Sequence, residues 1–186
     1  MGSRRLGRRR LYSLEKRGQS LTETDLGTGA GAKGAIQAAF QHREGAVIVT
    51  EIWVDLLKGS FESHGANAVI GKDGTDSGTL FQWTESLFGQ LLDVDLMITE
   101  DLAGGAVNII LASNSAAINV KSGGNSNTDH CSITDADKGD NVSATDIAAV
   151  GSDNVHFYLY SAQSTDAAYT AGKMIIRVTG YAVSEF

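Results

Sequence analysis

Five stretches of this chain read as β-strands, and their period-two patterning restricts the fold more than any other feature. In "VIVTEIWVDL", Ile48, Thr50, Ile52, Val54 and Leu56 share one face, and Val47, Val49, Glu51, Trp53 and Asp55 share the other. In "LDVDLMIT", Leu92, Val94, Leu96 and Ile98 alternate with Asp93, Asp95, Met97 and Thr99. "VNIIL" at 107–111 and "VHFYLY" at 155–160 are short apolar runs. "KMIIRVTGYAV" at 173–183 puts Met174, Ile176 and Val178 opposite Ile175, Arg177 and Tyr181. Successive side chains of a strand point to opposite faces, so each alternating run predicts a strand with one buried side. With few helical windows between them, these strands predict an all-β chain, an antiparallel β-sandwich or jelly roll.

The 186 residues suffice for one domain with a real core. No apolar run approaches the roughly 18 residues of a membrane span. Proline is absent and glycine numbers 22, so the turns rest on residues that tolerate positive φ. Residues 19–34, "QSLTETDLGTGAGAKG", read as a flexible connector. The predicted division is therefore a basic arm and Gly-rich linker over 1–34 and a β-sandwich domain over 35–186. The stretch 113–142, rich in Ser, Asn, Asp and Gly, reads as surface. "SATDIAAVG" at 143–151 reads as a short helix, with Ser143 and Asp146 at capping-box spacing and Gly151 closing it. The single Cys131 forms no internal disulfide and reads as a buried, idle thiol.

Charge is unevenly divided. The whole chain carries −7, but residues 1–20 hold seven cations and one anion, leaving −13 on the remaining 166. A block of like charge reads as a solvated or interacting tail. Leu11 and Leu14 share a face if the arm is locally helical, Gly18 stands where such a turn would stop, and a helix so short needs a surface to lie on. No apolar stretch of signal-peptide type follows the basic start, so it is not read as a secretory signal; an organelle transit peptide is the weaker alternative.

Several constellations of residues invite a chemical reading. "GTGAGAKGA" at 27–35 lacks phosphate-loop spacing, because Ala32 precedes Lys33 and Gly34 follows it. "SLEK" at 13–16 has the Ser-x-x-Lys spacing of some hydrolases without their partner motifs. "DADKGDNVSATD" at 135–146 resembles a calcium loop in Asp135, Asp137 and Asp146, but has Asp140 where the turn requires Gly. Asp93 and Asp95 neighbour each other on one strand side, an arrangement open to acid–base work but commoner as outward-facing acids. His42, His64, His130 and His156 show no metal-ligand spacing, and His156 reads as lining a sheet face. Phe157, Tyr158, Tyr160 and Tyr181 could stack on bases, but read first as core or subunit contacts. The chain is accordingly read as a non-enzyme, with no catalytic residues, no metal ligands and no cofactor.

A basic start of the form "RRLGRRRLYSLEKRGQS" followed by "GTGAGAKGAI", together with "VTEIWVDL" and the ending "YTAGKMIIRVTGYAV", resembles small structural proteins encoded by marine tailed phages. The resemblance covers both ends and the strand framework, and the middle only loosely. It implies a virion component located on the capsid, of decoration or cement type, and transfers no site residues. From the charge pattern, the partner-binding residues are expected to be Arg4, Arg5, Arg8, Arg9, Arg10, Lys16 and Arg17, with Leu11 and Leu14 as apolar contacts. The expected partners are the major capsid protein and other copies of the chain, with a trimer as one candidate stoichiometry and Trp53 and the tyrosines as anchors of self-association. A membrane is not expected, since the arm has few apolar anchors, and nucleic acid is disfavoured because the acidic body repels phosphate. The alternatives are a nucleic-acid-binding module using the arm, a tail, connector or fibre component, and a β-sandwich ligand binder with calcium at 135–146.

Overall fold

The computed structural model describes residues 18–74, 76–122, 128–144 and 154–182. Its strands are β1 (Gln19–Ser20), β2 (Ile36–Glu44), β3 (Val47–Asp55), β4 (Phe61–His64), β5 (Gly71–Lys72), β6 (Phe81–Trp83), β7 (Gln90–Ala103), β8 (Ile109–Asn114), β9 (Thr128–Ile133), β10 (Asn141–Ser143), β11 (Val155–Ser161), β12 (Asp166–Ala168) and β13 (Ala171–Tyr181). A single helical turn, α1 (Glu85–Phe88), precedes β7.

Every strand pairing is antiparallel. The larger sheet has the order β1-β2-β3-β13-β7-β10, the second β6-β11-β8-β9, and a small third sheet β12-β4-β5. Take β3, β6, β7, β8, β9, β10, β11 and β13 as eight successive strands. They fall into the sheets in the orders first-eighth-third-sixth and second-seventh-fourth-fifth. That is a jelly roll, and the fold is the all-β antiparallel sandwich that the alternation predicts. β1 and β2 widen the larger sheet beyond β3.

The core lies between the two large sheets. From the larger sheet, Ile48, Ile52 and Val54 of β3, Met174, Ile176 and Val178 of β13, and Val94, Leu96 and Ile98 of β7 are buried. All of these except Ile48 meet Phe81, Phe157, Leu159, Ile109 and Leu111 of the second sheet in one continuous cluster. Phe81 and Phe157 stack with ring centroids 4.5 Å apart, and Phe88 of α1 tilts against Phe81 at 5.6 Å. The polar intrusion at Gln41 is satisfied: its Nε2 donates to Thr50 Oγ1 at 3.1 Å and to the Leu87 carbonyl at 2.8 Å. A buried amide would otherwise cost about 1–3 kcal/mol.

Four sequence expectations change. Leu92 does not share the face of Val94: the pairing slips between Thr179↔Asp93 and Gly180↔Leu91, so Leu92 is the extra residue of a bulge. Leu91 turns into the core and Leu92 is exposed; an inserted residue inverts the phase beyond it. Residues 19–34 are not a loose connector. Leu21, Leu26 and Ala32 are core residues, and the amides of Gly29 and Gly31 donate to the carbonyls of Thr79 and Ser77 at 2.8 Å each. Among the described residues burial therefore begins at Leu21, inside the stretch read as a linker. The stretch 113–142 is not all surface, because Val120, His130, Cys131, Ile133 and Ala136 are buried. Ser143 ends strand β10 instead of capping a helix, and Ala144 donates its amide to the Val94 carbonyl, while residues 145–151 of that expected helix lie outside the described residues.

Gly180 carries a steric requirement. A Cβ there would sit 1.8 Å from the Phe88 carbonyl oxygen, where the end of α1 crosses β13. The obstacle is backbone, so it cannot swing aside. Gly180→Ala is expected to destabilise the protein by about 1–3 kcal/mol, or a fall of several degrees in Tm at roughly 2–4 °C per kcal/mol for a domain of this size. Calorimetry of the two proteins checks this, and an unchanged Tm contradicts it.

Candidate functional site

The register of the larger sheet assembles its solvent-side face row by row. One row runs Ala38–Trp53–Ile175–Met97–Asn141 across β2, β3, β13, β7 and β10. The next runs Phe40–Glu51–Arg177–Asp95–Ser143, and the third His42–Val49–Thr179–Asp93. The face thus interleaves an apolar band with a charged one. Trp53 is 43 % exposed, Phe40 47 % and Tyr181 48 %. Large aromatics in such positions on a sheet are the material of contact surfaces.

The charged band is ordered. Arg177 donates from Nη2 and Nε to Glu51 Oε1 at 2.9 and 3.2 Å. Lys173 Nζ lies 2.7 Å from Glu100 Oε2. Ser143 Oγ donates to Asp95 Oδ1 at 2.5 Å, and Asp93 Oδ1 accepts from the Val94 amide at 2.9 Å. Among the described residues, Asp93 and Asp95 have no cationic partner. Glu51, Asp93, Asp95 and Glu100 against Arg177 and Lys173 leave the face net negative.

The expected partner-binding residues Arg4, Arg5, Arg8, Arg9, Arg10, Leu11, Leu14, Lys16 and Arg17 lie outside the described residues. What the structure does give is their point of departure. Gln19 and Ser20 pair with Gln41 and Phe40 at the free side of β2, and Gly18 abuts the Gln41 carbonyl. The arm therefore leaves from the edge of the sheet whose outer face carries Phe40 and Trp53.

The other constellations resolve into local structure. In the turn before β10, the Asp140 carboxylate accepts from the Asp137 amide at 3.0 Å, and the Asp135 amide donates to Asn108 Oδ1 at 2.9 Å. Asp146 lies outside the described residues. Among the described residues no group of three or more His, Cys, Asp or Glu side chains converges as metal ligands. "SLEK" at 13–16 also lies outside them. The glycine run at 27–35 packs against Ser77, Thr79 and Val120.

The four histidines are scattered. His42 is half-exposed on the outer face. His64 Nδ1 lies 3.7 Å from Asp166 Oδ1. His130 is buried, with Nε2 2.8 Å from Ser113 Oγ, and stacks on Phe157. His156 Nδ1 meets Thr79 Oγ1 at 3.3 Å, and burial lowers its pKa. Among the aromatics weighed, Phe157, Tyr158 and Tyr160 are buried and only Tyr181 is exposed. Phe40 is the surface aromatic that sequence reading missed. β2 carries Ala38–Ala39–Phe40–Gln41–His42, with no apolar alternation to mark its faces. A shallow polar cavity of about 180 Å³ between Glu23, Thr24, Thr28, Ala30 and Lys33 is below the size of a ligand pocket. No helix of the described residues is long and apolar enough to cross a membrane.

Comparison with known proteins finds no matching family model, no matching curated protein and no matching solved structure.

Cys131 sits in the core with Sγ 3.4 Å from the Val94 carbonyl. Burial, with the fields of Asp95 and Asp93, pushes its pKa up to about 12. Tyr158, Tyr160 and Tyr169 are shifted upward by burial in the same direction. A pKa raised by folding means that the folded state holds its proton more tightly than the unfolded chain. The resulting stability is full below the unfolded value near 9 and is lost as pH rises towards the folded one. Tm is therefore expected to fall as pH rises above 9, and to fall less steeply in Cys131→Ala. Parallel slopes for the two proteins across the alkaline range would contradict the assignment.

Proposed function

We propose that this protein is a virion structural component of a tailed phage, a capsid decoration or cement protein. In this reading the basic N-terminal arm ties an acidic jelly-roll body to the shell. The single observation that carries the reading is the charge arrangement. A segment of +6 leaves the sheet edge of a body that carries the chain's negative charge. Concentrated arginines repel one another, and a negative partner relieves that repulsion by bidentate pairing with carboxylates.

The fold is compatible with this role, since jelly rolls serve in viral capsids, but they also serve in lectins and cupins, so that support is analogy alone. The outer face with Phe40, Trp53 and Tyr181 offers the β domain a surface for contact with further copies or with the shell. Repetition over many sites would then convert weak contacts into firm attachment.

A competing role as a nucleic-acid module rests on the same arm. The negative outer face opposes it, because phosphate approaching beyond the arm meets Asp93, Asp95 and Glu51.

Removing residues 1–17 tests the proposal. Co-sedimentation with purified capsid shells is expected to be lost, while binding of the full chain to DNA stays weak at physiological salt. Unchanged sedimentation of the truncated chain defeats the reading. Tight DNA binding, with a log–log salt slope near −0.9 for each neutralised phosphate, establishes the competing one.

A further inference from the structure

The outer face of the larger sheet and the arm that leaves its edge are complementary in two respects. The face offers the apolar band of Trp53, Ile175 and Met97, and beside it the carboxylates of Asp93 and Asp95, which have no cationic partner among the described residues. Residues 1–17 bring seven cations and, among them, Leu6, Leu11, Tyr12 and Leu14. We propose that the chain's own arm docks on this face, with its leucines and Tyr12 on the Trp53–Ile175–Met97 band and its arginines against Asp93 and Asp95. The inference goes beyond the attachment role and does not depend on it.

Reach permits it. Gly18 is held beside His42 on β2. Two strand spacings, about 10 Å, separate His42 from Thr179 along the third row, and the four residues from Gly18 back to Leu14 extend to about 13 Å. The full arm can extend to roughly 56 Å, more than twice the approximately 24 Å between the outermost strands of a six-stranded sheet. Gly18, lacking a Cβ, gives the exit point freedom to turn towards the face.

Tethering favours the arm of the same chain over that of another copy. A short flexible tether presents its end at roughly millimolar effective concentration, well above ordinary protein concentrations. The interaction should weaken with salt, because the Debye length contracts to about 3 Å at 1 M. Attachment to any external acidic surface then becomes an exchange, in which the arm leaves one set of carboxylates for another.

Trp53 is a built-in reporter. Only two tryptophans exist, and Trp83 is buried. Acrylamide quenching is measured on the full chain, on the chain lacking residues 1–17, and on Asp93→Asn/Asp95→Asn, with Trp53→Phe subtracting the Trp83 signal. The Trp53 quenching constant of the full chain at low salt is expected at roughly half that of the truncated chain, given an effective concentration that keeps the arm docked. It should rise part of the way towards the truncated value at about 1 M salt, which screens the charged contacts and leaves the apolar ones, and likewise in the double Asn variant. Equal quenching of full and truncated chains overturns the proposal. So does protection that appears only as protein concentration is raised, which would identify the arm of a second copy as the occupant. Circular dichroism confirms that each variant is folded. Shell attachment is a separate measurement, so loss of either result leaves the other standing.

Discussion

Strand β13 holds the larger sheet together. It pairs with β3 over Lys173–Tyr181 on one side and with β7 over Ala171–Tyr181 on the other. Its inward residues Met174, Ile176 and Val178 lie in the middle of the core, and its outward residues Ile175 and Arg177 organise the exposed face. Without it β3 would keep only β2, and β7 would keep only the three residues of β10. The two halves of the sheet would then no longer share a common inner surface. Core and exterior therefore depend on the same eleven residues.

The strand framework was legible because alternation is a direct imprint of a half-buried sheet. "VIVTEIWVDL" and "KMIIRVTGYAV" assigned each side chain to its face, since both strands pair without interruption over those residues. What escaped had no such imprint. A bulge at Leu92 inverts the phase without any residue that announces it. β2 and β9 carry Ala, Gln, His and Cys inward, small or polar groups whose burial is made tolerable by particular partners such as Thr50 and Ser113. The segment 19–34 looked like a tether because it is rich in glycine. Yet at Gly29 and Gly31 the glycines let backbone approach backbone, where a Cβ would collide with Ser77 and Val120. Composition cannot separate a glycine needed for looseness from one needed for closeness. Of the candidate site, the arm was visible as a charge block and Trp53 as an outward residue. The outer face as a whole was not, because its rows join residues from five strands.

The exposed face is neither a hydrophobic patch nor a charged one. The Arg177–Glu51 and Lys173–Glu100 pairs are partly exposed, and such pairs contribute little to stability on their own. Their effect is to fix where charge stands beside Trp53, Phe40 and Ile175. A partner must then match apolar and ionic elements together, which discriminates better than an oily surface would.

The order in which the strands are made has a consequence for synthesis. β3 is translated more than a hundred residues before the strand that joins it to β7. Until β13 has left the ribosome, the side of β3 facing away from β2 and the side of β7 facing away from β10 have no neighbour in the sheet. Unpaired strand edges of this kind template pairing with other nascent chains. The lysine and arginine of β13 arrive only with the strand itself, so the interval before its release is when this protein is most exposed to aggregation.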